Sequence, residues 1–195
     1  MKKFLTVLLL CGCIFTMFAC GDDGATVADF SKALENTTAT VVDVKVSMKS
    51  PLGTLESTYK TTYAEDGSFV VEYTKEEFNT ATSGAADEIK KVVSGSVTCD
   101  KDGNYSDGGA IAGTVSAAAG TALNITEKKV SAEISEDGNV LTATVKAKNT
   151  KAVFGVEYAN DVTIVITKNA DKVISYVMTY AIDENNSVSV VCSYQ

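Results

Sequence analysis

The chain of 195 residues lacks several residue types, and each absence removes a class of function. It contains no histidine and no tryptophan, and all 17 of its basic residues are lysines. Without histidine there is no Ser-His-Asp or Cys-His nucleophilic site, and no imidazole is available to bind zinc or haem. Without arginine there is no bidentate donor for phosphate, and a formal net charge of −8 repels nucleic acid. We therefore expect no nucleic-acid partner.

The N-terminal segment has the order of features that is typical of an export signal. Lys2 and Lys3 precede an apolar run from Phe4 to Ala19, and this small residue stands directly before Cys20. A membrane-spanning helix needs about 20 apolar residues, so the run is too short to span a bilayer comfortably. The segment Met17-Phe18-Ala19-Cys20 resembles the lipobox of bacterial lipoproteins, in which the signal is removed and the cysteine thiol is lipidated.

Two other interpretations of this segment stay open. Leu10-Cys11-Gly12-Cys13 is a competing candidate with a shorter apolar core, and an ordinary cleaved signal would leave Cys20 incidental. We predict lipidation at Cys20, which divides the chain into a signal peptide (1–19), a lipidated cysteine with its tether (20–26) and one domain (27–195). A lipid with acyl chains such as palmitate would anchor the protein at the extracytoplasmic face of a membrane in the bacterial cell envelope.

Apolar periodicity predicts a helix followed by a meander of strands. Val27 to Asn36 carries its apolar residues at helical spacing. From Thr40 the period changes to two, which is the period of a half-buried strand. The first three predicted strands, separated by short turns, are Val42–Met48, Leu55–Tyr63 and Phe69–Tyr73.

The sequence patterns in the middle of the chain predict two further short helices. Ser83 is a suitable N-cap for a helix from Gly84 to Val93, in which acidic residues come early and lysines late. A strand through Val97 and Cys99 follows. The Gly- and Ala-rich stretch after it predicts a helix over Ala110 to Ala119, with a mobile loop as the alternative.

The last third of the chain reads as strands joined by short turns rich in Asn, Asp and Gly. There is no alternation of strands with helices, so the sheet should be antiparallel throughout. We predict a mainly β (α+β) domain built on a strongly bent antiparallel meander. The predicted strands are Lys129–Ser135, Val140–Ala147, Ala152–Tyr158, Val162–Lys168, Lys172–Ile182 and Ser187–Tyr194.

This order of elements resembles a known family. A lipidated cysteine, the helix around Phe30-Ser31-Lys32-Ala33-Leu34, a strand from Val41 to Lys49 and a closing meander that ends at Tyr194 are similar to the LolA/LprG-like lipoproteins. The resemblance implies an unclosed β-barrel with two or three short helices on its concave side. It also implies a cavity there that carries lipid or lipoprotein acyl chains.

Aromatic and aliphatic residues of the predicted elements are candidates to line such a cavity. A bent sheet of eight or more strands can enclose a ligand, but the same residues can also form an ordinary packed core. Both interpretations stay open from the sequence. The predicted apolar pocket consists of Phe30, Leu34, Tyr59, Tyr63, Phe69, Tyr73, Ile89, Ile111 and Val115.

Two cysteines remain beyond the signal. Cys99 and Cys192 fall at inward-alternating positions of their predicted strands. In an oxidising compartment a pair of cysteines suits one disulfide, whereas two buried free thiols would behave as small hydrophobic residues. The sequence predicts the two outcomes with equal weight.

The sequence predicts neither a calcium site nor an enzymatic site. Asp100 to Asn104 begins like a calcium-binding loop, but Tyr105 replaces the required glycine and Ile111 the required glutamate, which favours a turn. Ser57 and Lys60 match a Ser-x-x-Lys motif, yet a period of two places them on opposite faces of a strand. We expect no catalytic residue, no metal and no cofactor, so the protein is predicted not to be an enzyme.

Two functions fit these observations. The first is a lipid-anchored protein that binds or carries an apolar ligand, an acyl chain or a lipid, in a concave β cavity. The second is a structural lipoprotein whose sheet surface binds another protein of the envelope. An empty concave cavity would favour the first, and a solidly packed concave face the second.

Overall fold

The computed structural model describes residues 24–78, 90–108 and 123–195. The signal peptide and Cys20 lie outside these residues, as do Ile89, Ile111, Val115 and the predicted helix over Ala110–Ala119. The lipidation site and one third of the predicted pocket therefore remain predictions.

Nine antiparallel strands form one sheet in the described part of the chain, which confirms the predicted fold class. They occur in the sequence as two meanders, β1 to β4 and β5 to β9. The bounds are β1 (Val41–Ser50), β2 (Gly53–Tyr63), β3 (Phe69–Phe78), β4 (Lys90–Cys99), β5 (Val130–Ile134), β6 (Val140–Val145), β7 (Val162–Asn169), β8 (Lys172–Ala181) and β9 (Ser187–Tyr194).

The first and the last strand pair with each other in the middle of the sheet. The strand order is β4-β3-β2-β1-β9-β8-β7-β6-β5, so β4 and β5 are the two edges and the barrel is not closed. β9 pairs with β1 from Val42 opposite Tyr194 to Lys49 opposite Ser187. Its other side pairs with β8. The central strand thus joins a half made of β1–β4 to a half made of β5–β9.

One face of the sheet, here called the inner face, carries the core. Directly opposed residues of neighbouring strands point to the same side, so each cross-strand row is either inner or outer. The inner rows are almost entirely apolar, and their central members are buried. One such row runs through Val97, Val71, Thr61, Val42 and Tyr194.

Helix α1 (Val27–Asn36) packs onto strands β8 and β7. Its N-terminus forms a capping box, in which the Asp29 carboxylate accepts hydrogen bonds from the backbone N–H and the hydroxyl of Thr26, at 2.7 and 2.8 Å. Its apolar side chains Phe30 and Ala33 are buried against the inner face. Beyond the helix, the Thr37 hydroxyl oxygen accepts a hydrogen bond from the Val173 N–H, 2.9 Å away, which fixes the helix end on β8.

The predicted strand over Ala152–Tyr158 is wrong. Its first residues belong to a short helix, α2 (Thr150–Phe154), which follows a 3-10 turn at Ala147–Asn149. Gly155, with a φ of 73°, ends the helix in the left-handed conformation that glycine adopts without a steric cost. The apolar run was too short for periodicity to distinguish a buried helix from a strand.

The predicted helix over Gly84–Val93 is wrong in its last residues, which begin strand β4. Val92 and Val93 lie opposite Glu76 and Lys75 of β3. The Lys90 ammonium also forms an ion pair with the Glu76 carboxylate at 3.2 Å. Pairing with a neighbouring strand and two adjacent β-branched residues outweighed the charge pattern that suggested a helix. The rest of this predicted helix lies outside the described residues.

Candidate apolar binding face

The inner face of strands β1–β4 is the candidate site, because aromatic residues concentrate there. Tyr59 and Tyr63 of β2 lie directly opposite Tyr73 and Phe69 of β3. These four were predicted from the alternation of each strand, and the structure brings them onto one surface. Tyr59 is buried and the other three are partly exposed, from half-buried Phe69 to Tyr63 with an exposed fraction of 36%.

One end of this surface combines aromatic rings with a cation. The Tyr59 and Tyr73 ring centroids are 6.5 Å apart. The Lys75 ammonium lies 5.7 Å from the Tyr59 centroid and 5.1 Å from the Tyr73 centroid, within the range of a cation–π interaction. Lys75 is a site residue that sequence reasoning missed, although it continues the same period-two row as Phe69 and Tyr73.

Gly95 allows the Tyr73 ring to lie flat on edge strand β4. A Cβ atom built at Gly95 would lie 2.6 Å from Tyr73 Cζ, so no other residue fits beneath this ring without moving it. An aromatic ring over a glycine of an edge strand covers backbone that the glycine leaves bare. The site therefore has a wide aromatic surface at its open edge.

The other end of the surface is a continuous aromatic cluster. Tyr63 and Phe69 have centroids 5.4 Å apart, and Phe69 meets Tyr105 edge-on at 5.8 Å. Cys99 forms an isolated backbone bridge with Tyr105, which holds this ring beside the end of β4. Sequence reasoning missed Tyr105 because it follows a turn and belongs to no periodic strand.

Cys192 occupies the centre of the inner face, where β9 joins the two halves. The hydroxyls of Tyr194 and Tyr176 donate hydrogen bonds to its sulfur. Burial raises the pKa of the Cys192 thiol to about 11, and the two hydrogen bonds offset part of that shift. Burial also raises the pKa of both tyrosines, so all three groups are neutral across the physiological range.

The structure contains Cys99 and Cys192 as buried free thiols and shows no disulfide between them. They sit on β4 and β9, which are separated in the sheet by β3, β2 and β1. Neighbouring strands lie roughly 4.8 Å apart, so four such steps place the two cysteines far beyond disulfide reach unless the sheet folds back on itself. This supports the alternative of two thiols that pack as small hydrophobic residues.

Phe30 and Leu34 of the predicted pocket lie on the other half of the molecule. Phe30 is fully buried and Leu34 half-buried, in α1 against β8 and β7. The Lys168 ammonium stands 5.3 Å from the Phe30 ring centroid. Phe30 is therefore a core residue, while Tyr63, Phe69 and Tyr73 form the partly exposed part of the predicted set.

A second concavity lies on the outer face of β1–β3 and differs in character. It is an open groove of about 350 Å³. Its lining includes the cross-strand row Asp43, Lys60 and Glu72, together with the hydroxyls of Thr58 and Thr74. Charged and hydroxyl side chains contribute to the lining of this open groove, and it lies on the outer face, so it is not the concave-side cavity that the sequence predicts.

The loop that resembled a calcium site is a turn. The Asp100 carboxylate accepts hydrogen bonds from the backbone N–H groups of Asp102 and Asn104, both at 2.9 Å. These hydrogen bonds, and one from the Asn104 side chain, lower the pKa of Asp100. Its carboxylate oxygens therefore stabilise the turn between β4 and Tyr105.

Within residues 24–78, 90–108 and 123–195, no helix has the length and apolar character needed to span a membrane. No cluster of three or more potential metal-binding side chains occurs among the same residues.

Comparisons with known proteins give little further information. No protein-family model matches the chain, and no curated protein matches its sequence. Among solved structures, a LolA superfamily protein from Nitrosomonas europaea aligns over 86% of this chain and 89% of its own, with 8% identity and a TM-score of 0.26. A score of this size does not establish a shared fold, so the fold class rests on the sheet itself.

Proposed function

We propose that this protein binds an apolar ligand, an acyl chain or a lipid, on the inner face of its β1–β4 half. The observation that carries the proposal is the row of partly exposed aromatic rings at Tyr63, Phe69 and Tyr73. Large apolar side chains on a concave, unclosed sheet are the usual lining of a lipid site. The described helix α1 packs on the other half, over β8 and β7.

The ammonium of Lys75, which lies beside the aromatic rings, suits the polar end of such a ligand. An acyl chain along the aromatic row would place a carboxylate or phosphate near this cation, at the end of the row formed by Tyr59 and Tyr73. The aromatic part of the row carries no charged side chain, and beyond Lys75 the same face carries Glu77 opposite Lys91. This arrangement favours a ligand with one anionic group and a long apolar part.

The proposal includes a lipid anchor at Cys20. Its support is the sequence alone, in which a basic start, an apolar run, a small residue and a cysteine follow in the required order. A protein held at a membrane in this way has direct access to lipid ligands.

A second candidate function, docking to another envelope protein, is favoured by exposed apolar residues on the outer face. Val70 of β3 is 39% exposed and Val92 of edge strand β4 is 62% exposed. Both lie near the open edge, where an added strand or a protein surface could cover them.

Native mass spectrometry separates the two functions. The soluble chain from Gly21 onward, purified from bacteria under gentle conditions, should carry bound lipid as an added mass that organic solvent removes. A protein of unchanged mass, with no lipid in the extract, would favour the docking function.

A further inference from the structure

One end of the sheet is edged by exposed apolar side chains. It is the end that carries the β1–β2 turn, the β8–β9 turn and the segment between β6 and β7. Leu52 is 73% exposed, Val156 and Ile182 are each 48% exposed, and Met48 is 40% exposed. These four residues are here called the apolar rim.

The rim is continuous with the core rather than scattered over the surface. Met48 lies opposite Val188, which lies opposite Tyr180 on the inner face. The Tyr180 ring meets the Tyr158 ring at 4.6 Å. The Asn160 side-chain amide donates hydrogen bonds to the backbone oxygens of Ala181 and Ile182, at 2.9 and 3.1 Å. This contact ties the Val156 loop to the Ile182 turn.

Charge is distributed unevenly between the two ends of the sheet. Exposed lysines surround the rim, at Lys49, Lys128, Lys148 and Lys151. Among the described residues, this end also carries Lys75, Lys90, Lys91 and Lys146, and its carboxylates include Glu76, Glu77, Glu127, Glu157, Asp161, Asp183 and Glu184, so its described residues are close to neutral. The turns of the opposite end carry more carboxylates than lysines, with Glu65, Asp66, Asp100, Asp102, Glu136, Asp137 and Asp171 against Lys101 and Lys172. An anionic surface would therefore repel the opposite end and accept the rim.

The N-terminus enters the domain at the acidic end. A Cβ atom at Gly138, in the β5–β6 turn, would lie 3.0 Å from the Ala25 Cβ, so the described part of the chain starts beside that turn. The rim stands at the far end of β8, and its ten residues span roughly 33 Å. The five residues from Cys20 to Gly24 reach at most about 18 Å. When the strands stand perpendicular to the membrane, a lipid on Cys20 and the rim therefore cannot reach the same bilayer surface.

From these distances and charges we propose that the apolar rim docks onto a second lipid bilayer, one that contains anionic lipid and faces the membrane that holds the anchor. Apolar turn tips flanked by lysines suit the bilayer interface, where the side chains enter the headgroup region and the ammonium groups stay with lipid phosphates. The inference rests on the anchor in the proposed function and does not depend on the bound ligand.

A vesicle-capture experiment tests this proposal. The full chain, produced in bacteria and purified in detergent, is reconstituted into phosphatidylcholine donor vesicles, and flotation measures the protein they retain. Fluorescent, protein-free acceptor vesicles of phosphatidylethanolamine and phosphatidylglycerol are then added, and their capture by the donors is counted. We expect capture that falls at least fivefold for the double variant Leu52→Ser with Ile182→Ser.

A matched variant and a change of lipid provide the controls. Ile174→Ser removes a residue that is 45% exposed away from the rim, and it should capture vesicles as the wild type does. Acceptors of phosphatidylcholine alone should be captured less. Equal capture by the rim variant, equal loss in the control variant, or no dependence on anionic lipid would overturn the proposal. If the donor vesicles do not retain the protein, both the lipid anchor and the docking of the rim onto a second bilayer would be overturned. Binding of a lipid ligand is measured separately, by mass spectrometry.

Discussion

At the scale of single residues, the side chains at the centre of the inner face are uncharged and have low reactivity. Cys192 is the best example, because its burial favours the protonated thiol more strongly than the hydrogen bonds from Tyr194 and Tyr176 favour the thiolate. A group whose pKa is raised on folding stabilises the folded state below its unfolded pKa, and this contribution is lost as the pH rises through the folded value. The contribution of Cys192 should therefore be complete below about pH 9 and should decline toward pH 11.

This pKa predicts the reactivity of the thiol. At pH 8 the native protein should alkylate at Cys192 with iodoacetamide at least ~100-fold more slowly than the urea-unfolded chain does, because the nucleophile is the thiolate and the residue is buried. Peptide mapping by mass spectrometry distinguishes Cys192 from Cys99. Rapid modification of Cys192 in the folded protein at pH 8 would show that the centre of the sheet is open to solvent.

At the scale of elements, helix α1 and the sheet depend on each other. Phe30 is completely buried, and truncating a buried phenylalanine to alanine costs roughly 3–5 kcal/mol. Phe30→Ala should lower the free energy of unfolding by about that amount in urea titrations. Glu35→Ala, on the exposed side of the same helix, should change it by less than ~0.5 kcal/mol. Equal effects of the two variants would mean that α1 does not pack on β8 as described.

The elements that the sequence predicts well are those formed by local patterns. Helix α1 and most strands follow from periodicity, because each hairpin needs only alternation and a short turn. The errors at Lys90–Val93 and Ala152–Tyr158 arise where the pattern is short and distant partners decide the outcome. Lys90–Val93 forms a strand because it pairs with β3. Thr150–Phe154 forms a short buried helix, which ends at Gly155 in the left-handed conformation.

Only part of the candidate site was predicted, because local alternation is visible in the sequence and distant contacts are not. Tyr59, Tyr63, Phe69 and Tyr73 share a face because two adjacent strands alternate in register, which a sequence can show. Tyr105 and the hydrogen bonds of Tyr176 and Tyr194 to Cys192 depend on contacts between strands that are far apart in sequence. Periodicity carries no information about such contacts.

At the scale of the whole molecule, β9 holds the two halves together. Val190 and Val191 are adjacent on this strand, but Val190 is 7% exposed on the inner face and Val191 is 37% exposed on the outer face. An unpaired buried carboxylate is strongly destabilising, so Val190→Asp should abolish the cooperative thermal transition. Val191→Asp should retain it. Circular dichroism on heating measures both, and a folded Val190→Asp protein would contradict the assignment of the inner face.

The central claim is that the inner face of β1–β4 binds an apolar ligand, and a fluorescent fatty-acid titration of the soluble chain from Gly21 tests it most directly. Val93 and Val92 are adjacent on edge strand β4, with Val93 half-buried on the inner face and Val92 exposed on the outer face. Val93→Trp should fill space beside Lys75 and weaken binding at least tenfold, while Val92→Trp should bind as the wild type does. Saturable micromolar binding with this difference is the predicted result. Absence of binding by the folded wild type, or equal affinity of all three proteins, would contradict the account.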